Sequence, residues 1–81
     1  MDPDAAWVLM LAAYQESNWD EAAEHAEAIL SWLRRGGFAP KVTVGLNNNG
    51  LLFEFDHDWV NRTTTDAVAR AIMIESRQQL T

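Results

Sequence analysis

Residues Asn18 to Gly37 read NWDEAAEHAEAILSWLRRGG, and the class of the fold turns on how this stretch is read. Asn18 has a short side chain able to accept from a backbone N–H two or three residues on, and Glu21 stands where it can reach back, so Asn18-Trp19-Asp20-Glu21 has the form of a capping box. Asp20 and Glu21 fall in the first turn that follows and Arg34 and Arg35 in the last, complementing the positive and negative ends of a helix dipole. Gly36 supplies the left-handed residue that ends such a helix. The spacing predicts a helix over 19–35, about 25 Å long at 1.5 Å per residue. Trp19, Ala22, Ala23, Ala26, Leu30 and Leu33 recur at three- and four-residue steps and share one buried face, with Ile29 at its margin. Asp20, Glu24, Glu27, Ser31 and Arg35 fall opposite, and His25 and Trp32 lie on the flank.

Upstream, Asp2-Pro3-Asp4 offers a second helix start, with Asp2 as cap and Pro3 at the first helical position, where a missing N–H costs nothing. Every residue from Ala5 to Tyr14 is apolar or Tyr. Ten such residues are too few to cross a bilayer, which takes about 20, and the preceding residues are acidic where a signal peptide is basic. This helix is therefore expected at the centre of the core or as half of an oligomer interface. Gln15-Glu16-Ser17 links the two helices through a short polar turn and makes them an antiparallel hairpin.

Asn18-Trp19-Asp20-Glu21-Ala22, followed by Ala26 and Ile29, resembles the turn and second helix of a tetratricopeptide repeat. The likeness covers residues 3–36, and it departs from the family pattern at Met10 and Ala13, where the family favours Gly and Tyr. No second copy follows, and solenoids need about three units to bury their faces. The resemblance implies a single helical hairpin and a protein-binding role.

Gly36-Gly37 and Pro40 change the architecture. From Lys41 to Leu46 apolar and polar residues alternate, with Val42, Val44 and Leu46 together, and Leu51 to Asp56 alternates likewise, with Leu51, Phe53 and Phe55 together. Between them lies Asn47-Asn48-Asn49-Gly50, and Asn-Gly is a strong hairpin-turn signal. A two-residue loop pairs Leu46 with Phe53, Val44 with Phe55 and Lys41 with Asp58; a four-residue loop shifts the pairing by two and keeps the faces together. A ribbon of two strands is not stable alone, so its apolar face is expected to lie on the helices. His57 to Arg62 then reads as a connector whose Trp59 and Val60 plug the core. Thr63-Thr64-Thr65-Asp66 reads as the cap of a third helix running to about Gln79. Val68, Ala69, Ile72, Met73, Ser76 and Leu80 would form its core stripe.

These elements predict one α+β domain over residues 1–81, in the order α-α-β-β-α, with a helical hairpin and a third helix packed on a two-stranded antiparallel β-hairpin. The absence of cysteine rules out disulfides, thiolate metal sites and a cysteine nucleophile. The net charge of −6 is uneven: residues 1–33 hold Asp2, Asp4, Glu16, Asp20, Glu21, Glu24 and Glu27 with no Lys or Arg. Such a half repels phosphate backbones and anionic membranes and suits a basic partner.

Asp56-His57-Asp58, with Glu54 nearby, gathers ligand-type side chains, but on a strand His57 would point away from the two aspartates. Metal binding or acid/base chemistry at Glu54, Asp56, His57 and Asp58 is accordingly the minor alternative. No serine stands in a nucleophile-elbow context and no Gly-rich loop opens a helix. The expected function is a small, acidic, non-catalytic protein-interaction or regulatory module, cytoplasmic, without cofactor, and able to form a homodimer through its first helix or an exposed ribbon edge. Its expected contact residues are Asp20, Glu24 and Glu27, three acids with no base at i+4, with Trp32 as a flanking anchor. The alternative of another class is an acidic decoy that occupies a nucleic-acid-binding protein.

Overall fold

A computed structural model of the protein describes residues 1–45, 52–54 and 57–81. Three helices make the fold: α1 (Pro3–Gln15), α2 (Trp19–Arg34) and α3 (Asp58–Leu80). Asp2 caps α1, its Oδ1 accepting from the N–H groups of Asp4 (3.1 Å) and Ala5 (3.3 Å). Asn18 stands at the N-cap of α2, but its side chain makes no capping bond, so the expected capping box does not form.

Both α1 and α2 end in the same backbone motif. At the end of α2 the N–H of Gly36 donates to the carbonyl of Leu33 and that of Gly37 to Trp32, the paired bonds of a Schellman closure. Gly36 takes φ +87° there, and the missing side chain of Gly37 makes room for the Trp32 indole, whose atoms lie 2.2 to 2.4 Å from where a Cβ would stand. At the end of α1, Ser17 donates to Tyr14 and Asn18 to Ala13, and the left-handed position falls on Ser17, at φ 57°.

Packing runs helix on helix. α2 lies between the other two and packs along both, while α1 and α3 scarcely touch. The core consists of Met10 and Ala13 from α1, Ala22, Ala26, Ile29, Leu30 and Leu33 from α2, and Ala69 and Ile72 from α3. Ile29, expected at the margin of the buried face of α2, is completely buried, as is Met10; each such side chain contributes about 1.5–3 kcal/mol. Many of the remaining buried positions carry small side chains, Thr65, Ala69 and Ser76 on α3 and Ala22, Ala23 and Ala26 on α2, and small side chains allow helices to pack closely.

The α+β class is therefore corrected to all-α, and the β-hairpin is not the support on which the helices pack. Thr43–Gly45 and Leu52–Glu54 run antiparallel over three residue pairs, Thr43 opposite Glu54, Val44 opposite Phe53 and Gly45 opposite Leu52, and among the described residues the contacts between helices are those of α2 with α1 and with α3. Six paired residues make no layer; α2 and α3 cover each other instead. The Asn47-Asn48-Asn49-Gly50 turn, and positions Leu46, Leu51, Phe55 and Asp56, lie outside the described residues.

A second correction concerns α3. His57 is its N-cap and Asp58 its first residue, so the stretch read as a connector is helix, and Trp59 is not a core plug but 69% exposed. Once Asp58 is helical, Arg62 follows it at i+4 and the two pair at 3.6 Å, in place of the expected pairing of Asp58 with Lys41.

The two open ends of the helix layer are tied differently. At one, the chain leaving α2 crosses between the N-termini of α1 and α3: the N–H of Lys41 donates to Asp4 Oδ1 (2.9 Å) and that of Val42 to Asn61 Oδ1 (3.1 Å), with Pro40 and Val42 buried beneath. At the other, the Tyr14 hydroxyl of α1 donates to Glu75 of α3.

Candidate functional site

The four expected contact residues do not form one surface. Asp20 and Glu24 are exposed on α2 and have no basic partner among the described residues. Glu27, one turn on, is turned toward α3 and forms an ion pair with Arg77. Trp32 is engaged internally: its indole N–H donates to the Phe38 carbonyl at 2.8 Å, its ring meets Phe38 edge-on at 5.9 Å, and Gly37 sits against its face. It fixes the chain after α2 and is only half exposed.

Of the ligand-type cluster, Asp56 lies outside the described residues. His57 and Asp58 are exposed at the start of α3, with Asp58 committed to Arg62. Among the described residues no three His, Cys, Asp or Glu side chains converge as a metal site would require.

Two surfaces stand out from the geometry. The first is the outward face of α1. This helix buries Pro3, Met10 and Ala13, the last two in the core shared with α2, and among the described residues nothing covers its other side, where Ala5, Val8, Leu9 and Ala12 are exposed. Val8 is 62% and Leu9 53% accessible, with Met1 at 53% beside the helix start. Steps of three, one and three place the four on a single stripe. Isolated exposed apolar side chains are ordinary, but a contiguous stripe marks a contact surface. The expectation of an apolar α1 at the centre of the core is thus corrected: α2 holds that place.

The second is a groove of about 950 Å³ between α2 and α3, lined by Glu27, Leu30, Ser31, Leu33 and Arg34 on one side and Arg62, Thr63, Asp66, Arg70, Met73 and Arg77 on the other. Four of the six basic residues in the chain line it. Arg62 spends its guanidinium on the end of α2, donating to the carbonyls of Leu33 (3.2 Å) and Gly37 (2.7 Å). Arg70 pairs with Asp66 one turn back at 3.1 Å. Sequence reading did not single out this gathering, because Arg34 and Arg77 are 43 positions apart. The available signal was the run Arg62, Asp66, Arg70, Met73, Arg77, whose steps of four, four, three and four lie on one face of a helix.

One titration bears on the helix ends. The hydrogen bond to Glu75, then burial, then the charge of Glu75 hold the Tyr14 phenol above its ordinary value of 10.0. No helix of the described residues is long and apolar enough to cross a membrane. No protein-family model, curated protein or solved structure matches the chain.

Proposed function

We propose that the chain is a non-catalytic protein-interaction module, working in the cytoplasm, and that its contact surface is the outward face of α1. The observation that carries this is the exposed stripe of Ala5, Val8, Leu9 and Ala12. Leaving Val8 and Leu9 in water forgoes burial worth about 1.5–3 kcal/mol for each, and a partner recovers it. The resemblance of residues 3–36 to a tetratricopeptide-type hairpin points in the same direction.

Charge selects the partner. The stripe lies within the half of the chain that has seven acids and no base, with Asp2 and Asp4 at one end of α1, Glu16 at the other, and the unpaired Asp20 and Glu24 on the next helix. Two copies meeting through α1 would bring acid against acid, whereas an amphipathic helix with an apolar stripe and basic flanks complements both features. A nucleic-acid-binding protein occupied by such a decoy is one source of that segment, and competition by duplex DNA would identify it.

The test is fluorescence anisotropy with a labelled amphipathic Leu/Lys helical peptide. Val8→Glu with Leu9→Glu should weaken binding at least tenfold while leaving the thermal midpoint within a few degrees, because both side chains are already exposed. Asp20→Lys with Glu24→Lys should weaken it less and flatten its salt dependence. Binding unaffected by the α1 substitutions would refute the assignment of the surface. A concentration-dependent dimer abolished by them would assign the face to a second copy.

A further inference from the structure

We infer that the groove between α2 and α3 is a receptor site for an acidic segment of another protein, in which carboxylates of the segment meet Arg34, Arg70 and Arg77 and its apolar side chains meet Leu30, Leu33 and Met73. In a chain of net charge −6, four of six cations are gathered on this one surface. Helix geometry explains the alignment: Arg62, Arg70 and Arg77 lie on one face of α3, spread over about 22 Å of axis at 1.5 Å per residue. Arg34 stands across from them on α2.

The cations differ in what they are free to do. Arg62 is consumed by the Leu33 and Gly37 carbonyls and positions the helices. Arg34 is exposed and has no carboxylate partner among the described residues. Arg70 and Arg77 are paired with Asp66 and Glu27, but their side chains are 60% and 56% exposed in those pairs. Solvent-exposed ion pairs of this kind contribute little, so a carboxylate supplied from outside replaces the internal partner at small cost. Arginine's planar fork suits bidentate carboxylate binding.

The same features argue against a nucleic acid. A phosphodiester chain has a uniform negative charge and would face Glu27 and Asp66 inside the groove, and it has nothing to place on Leu30, Leu33 and Met73. A protein segment that interleaves carboxylates with apolar side chains satisfies both the walls and the floor. At about 3.3 Å per extended residue, six or seven residues span the distance from Arg62 to Arg77. The groove is built from α2 and α3 alone, so this assignment and that of the α1 face stand or fall separately.

The test uses the full chain and a labelled peptide of alternating Glu and Leu, followed by anisotropy, with a Lys/Leu peptide and a single-stranded oligothymidylate as comparisons. The Glu/Leu peptide is expected to bind more tightly than the oligothymidylate, to weaken as salt rises, and to lose at least tenfold in affinity to Arg34→Glu with Arg70→Glu. The milder Arg34→Gln with Arg70→Gln should lose severalfold, and Val8→Glu with Leu9→Glu nothing. Circular dichroism confirms that each variant remains helical; neither arginine is buried, so both pairs of substitutions should fold. Absence of peptide binding, binding unchanged by both arginine pairs, or tighter binding of the oligothymidylate would overturn the inference. So would sedimentation showing a self-dimer that the arginine substitutions abolish.

Discussion

Ser17 and Gly36 occupy the same position in two copies of one motif, and exchanging the residue types there separates backbone strain from every other contribution. Both lie just beyond a helix end in the left-handed region, at φ 57° and 87°. An L-residue pays about 1–2 kcal/mol to adopt that conformation, and glycine does not. Glycine in turn loses more backbone freedom on folding, by roughly 0.5–1 kcal/mol. The difference predicts that Ser17→Gly stabilises the protein by about 0.5–1 kcal/mol and that Gly36→Ala destabilises it by a similar amount. Contacts do not confuse the comparison, since a Cβ at Gly36 would meet nothing within 4 Å and Ser17 is exposed. For a domain of this length 1 kcal/mol moves the thermal midpoint by about 4–8 °C, so the two variants should lie several degrees on either side of the native chain. Urea unfolding followed by circular dichroism reads the effect, and an unchanged slope certifies that stability alone has altered. A Ser17→Gly chain no more stable than the native one would refute the argument.

Three further expectations come from the helix contacts. Thr65 Oγ1 and Ser76 Oγ are buried without a partner among the described residues, so Thr65→Val and Ser76→Ala should each raise stability by about 1 kcal/mol in urea titrations. Arg62→Met removes the donors that close α2 at Leu33 and Gly37 and should cost about 1–3 kcal/mol, whereas Arg70→Met, which loses only an exposed pair, should cost less than about 1 kcal/mol. Tyr14 is the sole tyrosine, so tyrosinate absorbance reports it directly; the folded protein should titrate above 10.0 and Glu75→Gln should lower the midpoint. Because its folded value is raised, the native state retains a proton that the unfolded chain loses. The contribution of Tyr14 to stability is then complete below the unfolded value and is lost as pH climbs above it, and Tyr14→Phe should remove that part of the pH dependence.

Amphipathic α2 was the element whose sequence carried its structure most fully. Its acidic start, basic end and terminal Gly36 fix its span, and Ala22, Ala23, Ala26, Leu30 and Leu33 are all buried as their spacing requires. The architecture around it was less legible because its partner α3 offers Thr65, Ala69 and Ser76 to the interface. Small and hydroxylated residues pack helices closely but leave a faint apolar signal, whereas the alternation from Lys41 to Leu46 reads strongly whether or not the ribbon supports anything. The start of α3 was hidden for a related reason: Thr63-Thr64-Thr65-Asp66 has the composition of a cap, yet Thr65 serves as a fully buried core residue in the second turn of a helix already under way. The arginine groove required three-dimensional information, since only the antiparallel passage of α2 along α3 brings Arg34 near Arg70.

The middle position of α2 also sets how this domain must come apart. Among the described residues α1 and α3 are joined by little more than the Tyr14–Glu75 hydrogen bond and the Lys41–Val42 strap that bonds to both, so either outer helix can leave without dismantling the other's interface with α2, but neither can remain if α2 unravels. Amide exchange should therefore be slowest along α2, and α1, greasy on both sides and held on one, should be the first to lift away.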